Sequence, residues 1–147
     1  MGRILAFDYG RKRTGVAVTD PLQIIASTLT TVETQNIFTY ISDYVSREKV
    51  DCFVVGFPFL MENTKPSDSL PLINSFIETL KAKFPTIPVE VEDEHFTSKL
   101  AVKAMIEGGI KKKQRKNKAL IDKVSASIIL RNYLERKAML NQKSNLR

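Results

Sequence analysis

The spacing of apolar positions changes along the chain. Ile4 to Phe7 and Val16 to Val18 are short apolar runs flanking a polar turn, and Ile24 to Val32 is rich in β-branched residues. These read as three strands, the first two a tight hairpin and the three together an antiparallel meander. From about residue 34 to 48, Ile37, Ile41, Tyr44 and Val45 recur at helical spacing, which predicts an amphipathic helix. Asp51 to Val55 is apolar at nearly every position, as expected of a parallel strand covered on both faces. Gly56-Phe57-Pro58 ends it, and a polar loop follows over 59–69. Leu72, Ile73, Phe76, Ile77 and Leu80 mark the inner face of a second helix, with Asp68 or Ser69 as its cap. Val89 to Val91 reads as a fifth strand. A third helix starts at Thr97 or Ser98 and stops near Glu107, before Gly108-Gly109. A last helix is expected from about Ala119 to Ala138, with Ile121, Val124, Ile128, Ile129, Leu130, Tyr133 and Leu134 as its apolar positions.

Three strands followed by alternating helices and strands make an α/β fold. The expected form is a mixed five-stranded sheet, three antiparallel strands then βαβ crossovers, flanked by helices. A chain of 147 residues suits one domain, read here as 1–138, with 139–147 as a basic, frayed C-terminal tail.

Charge then narrows the partners. Lys and Arg number 23 against 16 Asp and Glu, a net charge of +7, which favours a polyanion. Arg11, Lys12 and Arg13 crowd the tip of the first hairpin. A second basic segment, read as a loop, holds Lys111, Lys112, Lys113, Arg115, Lys116 and Lys118. The ordinary reading of such a segment is a solvated charge run; the sharper one is a set of phosphate contacts. The one cysteine, Cys52, lies in an apolar run and is expected to pack as a small hydrophobe, consistent with a reducing compartment. No charged-then-apolar leader precedes the first strand, and no apolar run approaches the ~20 residues needed to cross a bilayer. The expectation is a soluble, cytoplasmic protein.

Three acids stand where this fold could gather them. Asp8 ends the first strand, Glu94 follows the fifth, and Asp122 lies in the first turns of the last helix. If strands one and five run the same way, their ends meet at the edge where ligands bind in open α/β sheets. Three converging carboxylates repel unless a cation neutralises them, and hard oxygen donors suit Mg²⁺ or Mn²⁺. Two such ions ~4 Å apart activate a water and stabilise the leaving oxygen of a phosphodiester. Gly10 and Gly15 would supply positive φ or let a ligand approach closely. No His and Cys cluster has zinc spacing, and the single histidine, His95, excludes a nucleophile paired with a second histidine. Against this, Asp93 or Glu94 could cap the third helix and Asp122 could be a solvated helix residue.

Four stretches resemble one known family. Asp8-Tyr9-Gly10 with Lys12-Arg13 and Gly15-Val16-Ala17 resembles its opening signature, and Thr19-Asp20-Pro21 fits the continuation. Val55-Gly56-Phe57-Pro58 with Met61-Glu62, Asp93-Glu94 with Thr97-Ser98, and Asp122 with Ser125-Ala126 and Ile129-Leu130 are similar to its later motifs. The family is the YqgF/RuvX type, described as Holliday junction resolvases or pre-16S rRNA nucleases of RNase H-like fold. The resemblance implies that Asp8, Glu94 and Asp122 hold Mg²⁺ or Mn²⁺ and that the chain hydrolyses phosphodiesters in structured nucleic acid. Maturation of the pre-16S rRNA 5′ end is the expected task, and cleavage of branched DNA its rival. Either a monomer or a homodimer suits this reading. Three positions depart from the family pattern: His95 replaces a usual Arg, Leu60 a common Asn and Asn63 a common Gly. They bear on substrate contacts more than on the metal site. Two other classes remain: a nucleic-acid-binding factor without catalysis, and, ranked last, a nucleotide-binding lobe like those of sugar kinases and actin-like ATPases.

Overall fold

The sheet forms as the pattern predicts. In the computed structural model, which describes all residues except 59–68, 95–96, 116 and 146–147, five strands lie in the order β3-β2-β1-β4-β5. They are β1 (Arg3–Tyr9), β2 (Arg13–Thr19), β3 (Ala26–Glu33), β4 (Val50–Phe57) and β5 (Val89–Asp93). β2 pairs antiparallel with β1 and β3, while β4 runs parallel to both β1 and β5. A 3-10 turn over Thr34–Asn36 leads into α1 (Ile37–Arg47). α2 (Ser69–Lys83), α3 (Thr97–Glu107), the single turn α4 (Lys112–Arg115) and α5 (Lys118–Asn145) complete the order.

The two faces of the sheet differ in side-chain size, and this sets what lies on each. One face presents Leu5, Phe7, Val16, Val18, Phe53 and Val55 to Ile37, Ile41 and Tyr44 of α1 and to Ile73, Phe76, Ile77 and Leu80 of α2. Phe76 is its hub, edge-on to Phe7 at 5.6 Å and stacked on Tyr9 at 4.4 Å between centroids. Each such side chain gains about 1.5–3 kcal/mol by leaving water. The other face is mostly small: Ala6, Ala17 and Cys52 with Ile4 and Val54, covered by Ala126, Ile129, Leu130 and Tyr133 of α5. Cys52 is buried there, and desolvation raises its thiol pKa to about 11, as fits a packing role.

Three expectations are corrected. β3 starts at Ala26 rather than Ile24, because the Asp20 carboxylate accepts the N–H groups of Leu22, Ile24 and Ile25 and holds them in a turn. Gln23 takes the left-handed conformation inside that turn, at φ 58°. The segment read as a basic loop contains the α4 turn. Residues 139–145 of the expected frayed tail are helical: α5 runs past Ala138 to Asn145, because Arg, Lys, Ala, Met, Leu and Gln sustain a helix after the buried stripe ends. No described helix is long and apolar enough to cross a membrane.

Candidate active site

Asp8 is the last but one residue of β1, on the face that α5 covers. Its neighbours across the sheet are glycines. Gly15 is its partner on β2, and the β1–β4 register, Ala6 with Val54 and Phe7 with Val55, continues to Gly56. Neither Gly10 nor Gly15 takes positive φ; among described glycines only Gly109 does. The expectation for Gly15 is therefore corrected. What approaches it is the chain's own backbone, since a Cβ there would sit 2.0 Å from the carbonyl oxygen of Asp122. Gly15 lets α5 settle directly on the sheet, which brings Asp122 to this corner.

Gly56 does the same for the third acid. A Cβ at Gly56 would lie 3.0 Å from Oε2 of Glu94 and 2.6 Å from Cδ1 of Ile129. Glu94 continues the ladder one step beyond β5, its N–H donating to the Phe57 carbonyl at 3.1 Å. From there its side chain crosses the bare backbone of β4 and meets Asp8 in a hydrogen bond. Burial, then the charge and hydrogen bond of Glu94, then the charge of Asp122 push the Asp8 carboxyl well above the ordinary carboxylate range. Burial also raises Glu94, as does the charge of Asp93, against the hydrogen bond from Asp8 that lowers it. Both shifts run the same way, because a proton shared between the two carboxyls relieves their repulsion and the cost of their burial.

Asp122 reaches the same corner but is engaged. Arg13 Nε donates to its Oδ2 at 2.9 Å. The acids are thus a hydrogen-bonded pair with a third turned to a guanidinium, and among the described residues no three metal-ligating groups are already arranged around one point. The donor set nevertheless fits a hard divalent cation: three carboxylates, oxygen donors only, with repulsion that a cation relieves.

The surroundings hold these parts rigidly. The hairpin tip is pinned because Thr34 Oγ1 donates to the Gly10 carbonyl at 2.6 Å and Thr14 Oγ1 in turn donates to Thr34 Oγ1 at 2.9 Å. Asn117 caps α5, its Oδ1 accepting the N–H groups of Ala119 and Leu120. Thr31 Oγ1 donates to the Ala119 carbonyl, tying the start of α5 to β3. Farther along, Tyr133 donates to Glu90, and Arg136 to Glu92 at 2.8 Å, fastening α5 to β5. Ser125, one turn after Asp122, is fully buried with no partner for its hydroxyl among the described residues.

The expected phosphate contacts divide. Arg11 and Lys12 are exposed at the tip and form no ion pair among the described residues, whereas Arg13 is paired with Asp122. Lys111 and Lys112 are exposed ahead of α5 and Lys118 is exposed at its first position, at the end of the helix nearest Asp122. The side chains of Lys113 and Arg115, and all of Lys116, His95, Leu60 and Asn63, lie outside the described residues. Sequence reasoning missed Gly56 as part of the site. A glycine inside an otherwise continuous apolar strand was its signal, since such a residue marks a close approach.

Comparisons with known proteins give the family and the fold. A family model described as "RuvX: Holliday junction resolvase" matches residues 2–136. Curated relatives named "Putative pre-16S rRNA nuclease" include one from Parabacteroides distasonis, 55% identical over 93% of this chain and 97% of its own length. Another, from Phocaeicola vulgatus, is 56% identical over 93% of this chain and 98% of its own. Among solved structures, T. thermophilus RuvC in complex with a Holliday junction substrate superposes with a TM-score of 0.56 at 19% identity, over 94% of this chain and 96% of that one. That likeness shows the RNase H-like fold.

Proposed function

The chain belongs to the RuvX family, and from that premise we propose that it is a divalent-metal-dependent endonuclease that processes the 5′ end of pre-16S rRNA in the cytoplasm. The observation that carries this reading is the meeting of Asp8, Glu94 and Asp122 at the end of β1, beside exposed cations. Asp8, Glu94 and Asp122 would hold Mg²⁺ or Mn²⁺. When bound, the metal supplies charge neutralisation for attack of water on a phosphodiester.

The chain's own residues do the rest. A proton shared between Asp8 and Glu94 would have to leave for these carboxylates to hold a cation. Asp122, paired with Arg13 in the free chain, would release it to help hold a cation. The freed Arg13, with Arg11 and Lys12 on the pinned tip, then faces the phosphate backbone from one side. Lys111, Lys112 and Lys118 would face it from the other, in a segment whose sequence adds Lys113, Arg115 and Lys116. These contacts give affinity that falls steeply with salt but no base readout.

The second reading, resolution of branched DNA, is favoured by the description of the matching family model. One assay separates them: labelled pre-16S rRNA and a labelled four-way DNA junction, each with Mg²⁺, with Mn²⁺ and with EDTA. Cleavage of the RNA near the mature 5′ end, lost in EDTA and in Asp8→Asn, is expected. Junction cleavage alone moves the assignment to DNA. Binding of either without cleavage under any metal makes the chain a non-catalytic factor.

A further inference from the structure

Among the described residues, the buried serine and threonine side chains are Thr14, Thr19 and Ser125. Thr19 Oγ1 accepts the Ile4 N–H at 2.9 Å, and Thr14 is bonded to Thr34. Ser125 Oγ alone of the three has no partner among the described residues. A hydroxyl left so has given up water and gained nothing in return, which destabilises the folded chain. Its own helix does not satisfy it either. Two residues on, Ser127 Oγ donates back to the Val124 carbonyl at 2.6 Å, the usual outlet for a hydroxyl within a helix. Ser125 does not take that outlet, so its hydroxyl is left to whatever lies under α5.

The register says what lies there. Thr31 of β3, Gly15 of β2, Asp8 of β1 and Gly56 of β4 form one row across the sheet. α5 crosses this row, and three contacts mark its course. Thr31 Oγ1 donates to the Ala119 carbonyl. The Asp122 carbonyl packs on Gly15, and Cδ1 of Ile129 packs on Gly56. Asp8 stands between the two glycines, so the part of α5 that passes over it lies between Asp122 and Ile129. Spacings of three and four put Asp122, Ser125 and Ile129 on one stripe of the helix. Ser125 and Ala126 are fully buried in that part. Ala126 packs with Ala6, Ala17 and the other apolar residues of this face. Ser125 brings a donor with nothing yet to give it to.

We propose, on the metal-dependent reading of the three acids, that Ser125 is a positioning residue whose hydroxyl donates to the Asp8 carboxylate when that carboxylate holds a divalent cation. In the free chain Asp8 is hydrogen-bonded to Glu94, and the hydroxyl is left over. A carboxylate that holds a metal is itself hydrogen-bonded, and the outer bond fixes how it faces the ion. Ser125 supplies that bond from a buried helix position, where a hydroxyl donating to a charged oxygen makes a short, strong contact. The instability of the free chain and tighter holding of the cation are then two sides of one unpaired donor.

Calorimetric Mn²⁺ titration and melting of the RNA-free full chain test this, on wild type, Ser125→Ala, Ser127→Ala and Asp8→Asn. Ser125→Ala is expected to bind Mn²⁺ about tenfold more weakly than wild type. It should nevertheless melt higher than wild type in EDTA, and saturating Mn²⁺ should narrow that lead. A merely structural role would not weaken metal binding while raising stability. Ser127→Ala, whose hydroxyl serves its own helix, should bind Mn²⁺ as wild type does. A Ser125→Ala affinity within about twofold of wild type overturns the proposal, because an outer partner of a metal-holding carboxylate is worth roughly ten- to a hundredfold. So does a lower melting temperature in EDTA, which would show the hydroxyl already partnered in the free chain, or an equal loss of affinity in Ser127→Ala. If wild type takes up no Mn²⁺, or Asp8→Asn takes up as much, the metal reading falls and the role of Ser125 with it. Failure of Ser125→Ala alone leaves the metal reading standing.

Discussion

Gly15→Ala tests the claim that a missing side chain on β2 positions an acid on α5. The added Cβ would stand 2.0 Å from the Asp122 carbonyl oxygen and 2.3 Å from its carbon, where ordinary contact begins at 3.4 Å. Both are backbone atoms, so no rotamer change relieves the clash. The second turn of α5 must withdraw by about 1.4 Å. Overpacking of this kind costs about 1–3 kcal/mol. In a chain of this size that lowers Tm by roughly 3–10 °C. Displacing a reacting group by about 1 Å costs on the order of a hundredfold in rate. The expected result is a folded protein with a modest loss of stability and a loss of cleavage near that factor, although all three acids are present. The assay is single-turnover cleavage of pre-16S rRNA at saturating Mn²⁺, beside thermal melting. Gly108→Ala, where the nearest atom is the Ala104 carbonyl at 3.3 Å and no acid is near, is the control and should cleave as wild type does. Cleavage by Gly15→Ala within about threefold of wild type would refute the reasoning, since the helix would then tolerate a displacement that the chemistry should not.

Asp8→Asn should abolish cleavage yet stabilise the metal-free protein. The Asp8 pKa is raised on folding, so its contribution is fully present below its unfolded value and is lost as pH rises through the folded one. The gap in Tm between variant and wild type should therefore widen from acid toward neutral pH in EDTA and close on adding Mn²⁺; a gap independent of pH contradicts the shared proton. Arg13→Gln releases Asp122 and should raise the Mn²⁺ affinity of the RNA-free protein by roughly fivefold, read by calorimetry, while weakening RNA binding. Unchanged Mn²⁺ affinity would mean the ion pair is not in competition with the metal. Gly56→Ala crowds side chains rather than backbone, Ile129 Cδ1 and the Oε2 and Cβ of Glu94, so cleavage should fall more than stability does; the reverse pattern would show that Glu94 is not what the glycine admits. Ser125→Ala removes a buried hydroxyl without a partner and should raise Tm by roughly 2–4 °C, for about 1 kcal/mol. A lower Tm would reveal a bond to a bound water or to residues outside those described.

Most of the fold could be read because its elements follow from period and composition. The apolar run at Asp51 to Val55 signalled a strand covered on both faces, and it is the strand between β1 and β5. The turn at Asp20 was legible as a turn, but its capture of three N–H groups was not, so β3 was placed two residues early and Ile24 and Ile25 were assigned to the ladder. The end of α5 was missed for a different reason. Apolar periodicity reports where a helix is buried, and a helix of good formers outlasts its buried stripe.

The acids themselves were legible, but the means of bringing them together was not. Asp8, Glu94 and Asp122 carry their chemistry in their names, and strand ends are where such chemistry sits. Whether they meet depends on atoms that are missing. A side chain on β4 would stand between Asp8 and Glu94, and one on β2 would hold α5 off the sheet; glycine removes both. The chain shows these glycines plainly, yet the habit of reading glycine as conformational freedom hides them, because neither takes a positive φ. The same limit applies to Arg13. Its charge pointed outward to phosphate, and 109 residues of separation concealed that its first partner is Asp122. Two groups each suited to an external ligand thus satisfy one another in the free protein. A cation that draws Asp122 away leaves Arg13 for phosphate, and a phosphate that draws Arg13 away leaves Asp122 for the cation. Thermodynamic linkage requires the two effects to be equal. On the proposed reading, the Arg13–Asp122 pair therefore couples the binding of metal to the binding of nucleic acid.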